Sequence, residues 1–329
     1  MAAHLAIIAA VSVGMVLYIR LVENLEPPMS GDRWYTRQFA YVGGPVSAPY
    51  CWRPLLPLLA RYLGFELVSY SALLMTPIMI YGFAGGGWVG VACALAFIGN
   101  PHIFRFAVRN PEYDLGLVHL LLVTSMWAMA VGSPAAWVLL PLAATAREGA
   151  GLSLAAVALF VNPPLALASA AGLALAYFTR NENKENRHPL VETSIVATTR
   201  RWAKLKGHNF FSFAHVVQPL RGLPLSVPFV WGDLGHFARA GLIGFLATWA
   251  SAIPASGQCR ILAYSYAFFV PVVAAFGPEW AWVYAGLSWW WPIDYLLFDE
   301  TGGGDKFSFL HGAQVQHVQP AHDAAQQAG

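Results

Sequence analysis

Long apolar runs with almost no charge decide most of what this chain can fold into. Residues 5–19, 67–84, 115–131, 163–178, 234–253 and 261–276 each lack Asp, Glu and Lys or carry at most one charge. Crossing the hydrocarbon of a bilayer takes about 20 residues, with a range of roughly 17–25, and runs of this size meet that requirement. In lipid every backbone N–H and C=O must be satisfied within the protein, so a spanning segment is a helix or part of a closed barrel. The alternation of barrel strands is absent. The expectation is an all-α membrane protein, a polytopic transmembrane bundle of about eight to eleven helices.

Composition supports this. Of 329 residues, 57% are hydrophobic and 11% charged, against about 25% charged in soluble domains. A chain this short cannot hide the difference in a large core. Fifteen of the 19 basic residues are Arg, and no Lys precedes Lys184. The guanidinium fork suits phosphate or carboxylate, although Arg-favouring codon usage accounts for the bias equally well. Cys51, Cys93 and Cys259 are too few and too scattered for a disulfide framework or a zinc site. The first loop holds no acidic pair near Asp32 of the kind that chelates a divalent ion, so no metal is expected, and no cofactor is expected either. The first apolar run has no basic leader and no small-residue cleavage site before Arg20, which reads as a retained first helix. Nothing points to nucleic acid, and no internal repeat is visible.

Along the chain, 1–300 reads as the transmembrane domain and 301–329 as a disordered tail. The first polar loop covers 21–53. In it Ser30 suits the N-cap of a short helix over 31–41, and Trp34, Tyr35, Phe39 and Tyr41 would lay that helix on the membrane surface. Residues 53–61 are Pro-rich and apolar but too short to span. Helices are expected at 66–83, 86–99, 114–131, 134–146, 149–161, 163–179, 235–253, 260–276 and 279–297, with a half-inserted stretch at 208–231. The basic loop 180–206 belongs in the cytoplasm by its charge, whereas counting spans from a cytoplasmic N-terminus puts it outside. Either one short helix is re-entrant or the charge rule fails here.

Ionisable residues inside or beside spans are costly and mark function by default. Asp32, Arg33, Arg37 and Arg53 form the first cluster. Arg33 and Arg37 share a helix face at i, i+4 and could hold a phosphate, with Asp32 placed to take a proton from an acceptor hydroxyl. Alternatively, Asp32 answers a helix dipole and the arginines reach headgroups. Arg147 and Glu148 lie between two apolar helices. Neighbours on a helix do not face each other, so each needs a partner from elsewhere in the bundle, a ligand, or water at the bilayer edge. Arg260 opens a late helix and Asp114 an earlier one, with Glu112 just before it. Trp280, Trp282, Trp289, Trp290 and Trp291 suit an interfacial belt.

The order of these clusters resembles the GT-C membrane glycosyltransferases, which use polyprenyl-phosphate sugars as donors. The resemblance is carried by Gly31-Asp32-Arg33-Trp34-Tyr35 with Tyr50-Cys51-Trp52-Arg53-Pro54-Leu55, by Asn110-Pro111-Glu112-Tyr113-Asp114, by Ala144-Thr145-Ala146-Arg147-Glu148-Gly149, and by Gln258-Cys259-Arg260 before an apolar helix with Pro271. It touches most of residues 1–276. Gln258 stands where the family usually has an acid, and Asp32 lacks a paired acid nearby. The resemblance implies that Asp32 is the general base. It makes Arg33, Arg37, Arg53, Arg147 and Arg260 the phosphate-binding set, with Glu148 orienting one of them and Glu112 and Asp114 as secondary candidates. Implied partners are the lipid-linked donor, membrane lipids and a glycan, lipid or protein acceptor. The implied place is the extracytoplasmic face of a bacterial plasma membrane, in cell-envelope chemistry. Two other classes fit the same residues: a transporter or flippase for an anionic lipid-linked substrate, and a non-catalytic assembly subunit that tolerates loss of Asp32.

Overall fold

The structure, a computed structural model, describes residues 1–22, 36–42, 53–179, 220–252 and 262–290. Asp32, Arg33, Arg260, the basic loop 180–206 and the tail 301–329 lie outside these residues. So does the second unit of the chain, Pro292–Gly329.

Among the described residues the chain is helical, with no strand. In order come α1 (Ala2–Val22), α2 (Leu55–Leu63), α3 (Phe65–Phe83), α4 (Gly87–Gly99), the short α5 (Phe106–Arg109), α6 (Leu115–Ala130), α7 (Ala136–Ala146) and α8 (Glu148–Val161). Then follow α9 (Pro163–Phe178), α10 (Leu223–Val230), α11 (His236–Ala252), α12 (Tyr266–Ala275) and α13 (Pro278–Trp289). Wide helical turns at Gln38–Val42 and Pro101–Arg105 complete the set.

The apolar runs are divided more finely than their sequence suggests. Two helices, over Ala2–Leu21 and Phe65–Phe83, are long and apolar enough to cross a membrane. Gly87–Gly99 with Pro101–Arg109, bent by 53°, makes a third if counted as one span. The runs at 115–131 and 163–178 give helices of 16 residues, 234–253 gives one of 17 and 261–276 one of 10. The last is cut because Tyr264 and Ser265 form a turn before α12 begins, and the Tyr264 side chain is engaged elsewhere.

Helix α3 packs against α1, α4 and α6, while α8 packs against α7, α9 and α11; α12 touches members of both groups and joins them. Its Tyr266, Phe268 and Phe269 are fully buried. Small residues let these helices close up, as is common where lipid gives no hydrophobic drive to association. A side chain at Gly172 would start 2.5 Å from the Pro141 Cα, and one at Gly241 would start 2.7 Å from the Phe268 carbonyl oxygen. The α3–α4 turn needs glycine for a different reason. Gly85, Gly86 and Gly87 have φ of 83°, 75° and 62°, a left-handed run that other residues adopt only with strain.

Helices α8 and α11 run antiparallel. Ser153 Oγ and Thr248 Oγ1 are 2.8 Å apart, and His236 Nε2 is 3.1 Å from the Phe160 carbonyl oxygen at the other end of the contact. The bundle therefore has two distinct ends, one holding Glu148 and the other Phe160. Large apolar side chains are exposed among the described residues, with Leu167 71% and Phe229 86% exposed.

Candidate functional site

The segment 100–114 is pinned before it delivers any charge. Asn100 is buried, and its side-chain oxygen accepts from the His102 backbone N–H at 3.0 Å. Ser69 donates to the Pro111 carbonyl at 2.5 Å and Tyr70 to that of Val108 at 3.1 Å, which fixes the segment on α3. The result is that Glu112 and Asp114 are both buried. Buried carboxylates are costly unless paired, and each has an arginine.

Asp114 precedes α6, yet its side chain makes no capping bond there. Instead its Oδ1 and Oδ2 accept from Arg147 Nη1 at 2.8 and 3.0 Å, and Oδ1 also accepts from the Tyr264 hydroxyl at 2.8 Å. Arg147 Nη1 lies 2.9 Å from the same hydroxyl, and the guanidinium carbon stands 4.7 Å from the centre of the Tyr264 ring. The cation is held by a carboxylate, a phenol and a π-face together.

Arg147 sits in extended backbone, φ −159° and ψ 128°, at the break between α7 and α8. An extended residue turns its side chain away from its successor's, so Glu148 points to a different partner. That partner is Arg53, whose Nε lies 2.8 Å from Oε2 and Nη2 2.5 Å from Oε1. A two-point pair of this kind fixes the guanidinium plane. Arg37 completes the set, with Nε and Nη2 at 3.1 and 2.6 Å from Glu112 Oε1.

Six of the residues singled out from sequence, Arg37, Arg53, Glu112, Asp114, Arg147 and Glu148, thus meet as three ion pairs at one end of the bundle. Arg147 bonds through Nη1 alone among the described residues, which leaves Nε and Nη2 to donate to an anion. Asp114 stands at the start of α6, as its sequence position suggests, and its carboxylate is paired with Arg147. Asp32, Arg33 and Arg260 lie outside the described residues, and so does any contact between Arg33 and Arg37.

Sequence reasoning missed Tyr264, which is buried in an apolar run where a tyrosine carries no special signal. It also passed over His119. This buried imidazole lies between the Leu115 carbonyl oxygen, 2.8 Å from Nδ1, and that of Ala263, 3.0 Å from Nε2, and its one N–H can donate to either, so it sits where α6 meets the stretch before the Tyr264 turn. A histidine inside an apolar run is a detectable signal. Among the described residues, no group of three or more His, Cys, Asp and Glu is placed to hold a metal ion.

Models of known protein families, functionally described proteins and solved structures give no match to this chain.

Proposed function

We propose that this chain is a multi-pass membrane protein of a bacterial plasma membrane and acts as a GT-C-type glycosyltransferase. It would move a sugar from a polyprenyl-phosphate donor to a glycan, lipid or protein acceptor on the extracytoplasmic side. The observation that carries the reading is the convergence of Arg53, Arg147 and Tyr264 beside Asp114. These groups come from distant parts of the chain and sit at the end of an apolar bundle. A lipid phosphate lying at a bilayer surface meets donors there, and the lipid tail meets apolar helix faces.

In this reading the acceptor hydroxyl attacks the anomeric carbon, and its proton passes to Asp32. The bond from that carbon to the phosphate oxygen breaks, and its electron pair leaves with the lipid phosphate. Charge grows on the leaving phosphate, where fixed N–H donors such as those of Arg147 lower the barrier most. Inversion at the anomeric carbon follows from a single displacement.

The test is transfer of labelled sugar from a polyprenyl-phosphate donor mixture by purified protein, wild type against Asp32→Asn. Turnover lost in the variant with donor binding retained supports the reading. Full activity of Asp32→Asn rejects Asp32 as base. Wild-type binding of lipid phosphate without any transfer rejects the enzyme and leaves the flippase reading in its place.

A further inference from the structure

At the end of the bundle opposite the ion pairs, a half-open groove of about 450 Å³ runs between α8, α10, α11 and α12. Phe160, Val227, Leu246 and Phe269 line it, and its basic residues, Arg239 and His236, lie in the first turn of α11. Glu148 and Phe160 are twelve residues apart on α8, or roughly 18 Å along the axis, so the groove is separate from the charged cluster.

Arg239 is built as a fixed donor. Its Nη2 donates to the Trp231 carbonyl at 3.1 Å, and its guanidinium carbon stands 5.2 Å from the centre of the Trp231 ring. That contact uses one of five N–H donors. Asp233 is exposed in the turn before α11, and no carboxylate among the described residues forms an ion pair with Arg239. His236 is committed differently: a carbonyl only accepts, so its Nε2 carries the proton toward Phe160. An apolar trough with one stacked guanidinium at its mouth complements a molecule with a single anionic head and a long apolar tail. Trp231, half exposed beside that guanidinium, is the residue type that settles at headgroup level.

We infer that this groove binds one anionic phospholipid, its phosphate on Arg239 and an acyl chain along Phe160, Leu246 and Phe269. The site lies in the leaflet opposite the charged cluster. The inference rests on the membrane part of the proposal above and is independent of sugar transfer.

The test uses full-length protein in nanodiscs of phosphatidylcholine with or without phosphatidylglycerol, washed with detergent, with retained lipid counted by native mass spectrometry. Wild type is expected to keep about one phosphatidylglycerol per chain in preference to phosphatidylcholine. Arg239→Gln should weaken that preference roughly tenfold, and Leu246→Trp should fill the trough and release both lipids. Circular dichroism confirms folding of each variant. If Arg239→Gln does not fold, the wild-type preference and the Leu246→Trp result still decide. Equal retention of phosphatidylglycerol by wild type and Arg239→Gln overturns the inference. So does absence of retained lipid from wild type, as expected if residues 180–219 or a second copy fill the groove. Recovery of the expressed chain in the soluble fraction would instead overturn the membrane reading itself.

Discussion

Arg53 and Glu148 are 95 positions apart in the chain and meet through two hydrogen bonds of 2.8 and 2.5 Å. Their side chains are 17% and 31% exposed, so the pair is shielded but not sealed. It fastens the start of α2 to the break between α7 and α8.

Removing one member strands the other charge. Arg53→Leu or Glu148→Leu is expected to cost about 2–3 kcal/mol, below the ~3–5 kcal/mol of a fully buried pair because water still reaches Glu148. The double variant should recover part of that loss. Thermal unfolding of the four proteins in one detergent measures it, and additive single losses would mean that the pair contributes no coupling.

Tyr264→Phe keeps the ring under Arg147 and removes only the hydroxyl shared with Asp114. The expected cost in stability is about 1 kcal/mol. Lipid-phosphate affinity should fall more than stability does, because the hydroxyl helps aim Nη1 and, with it, the donors left for a ligand. Arg147→Lys should not restore binding, since an ammonium cannot reproduce the planar fork. Titration with a polyprenyl phosphate checks both, and unchanged affinity in Tyr264→Phe would show that the hydroxyl does not aim the cation.

Close helix packing gives a contrasting pair of glycines. Gly172→Ala places a methyl group against the Pro141 backbone and should destabilise by about 1–3 kcal/mol through forced separation of α7 and α9. Gly286→Ala meets nothing within 4 Å and should be neutral or stabilise by up to ~1 kcal/mol through helix propensity. Equal melting temperatures for the two variants would count against this packing.

The two ends of the bundle should face opposite sides of a membrane. Arg61 and Ala135 are exposed, one on α2 near the ion pairs and the other beyond the far end of α6. In a background lacking Cys51 and Cys259, Arg61→Cys and Ala135→Cys should react with an impermeant maleimide from opposite faces of sealed vesicles. Labelling of both from one face would reject a two-sided placement.

Helix positions were largely legible because lipid-like apolar runs and turn residues leave little choice. The expected helices at 163–179 and 235–253 correspond to Pro163–Phe178 and His236–Ala252. The 260–276 run read as one helix because no Gly or Pro marks the turn at Tyr264; the turn follows from tertiary contacts of that side chain. At the site, Arg147 and Glu148 were recognisable from the cost of charge between apolar helices. Their partners were not, since pairing across 33 positions to Asp114 and 95 to Arg53 leaves no local pattern. Tyr264 was invisible because a tyrosine in an apolar run carries no special signal, whereas a histidine such as His119 in such a run is a detectable signal.

Arg147 and Glu148 are consecutive residues that grip different parts of the molecule, one just before α6 and the other just before α2. Their shared backbone makes the α7–α8 junction a double hook. An anion taken by the remaining N–H donors of Arg147 would therefore sit one peptide away from the carboxylate that holds Arg53.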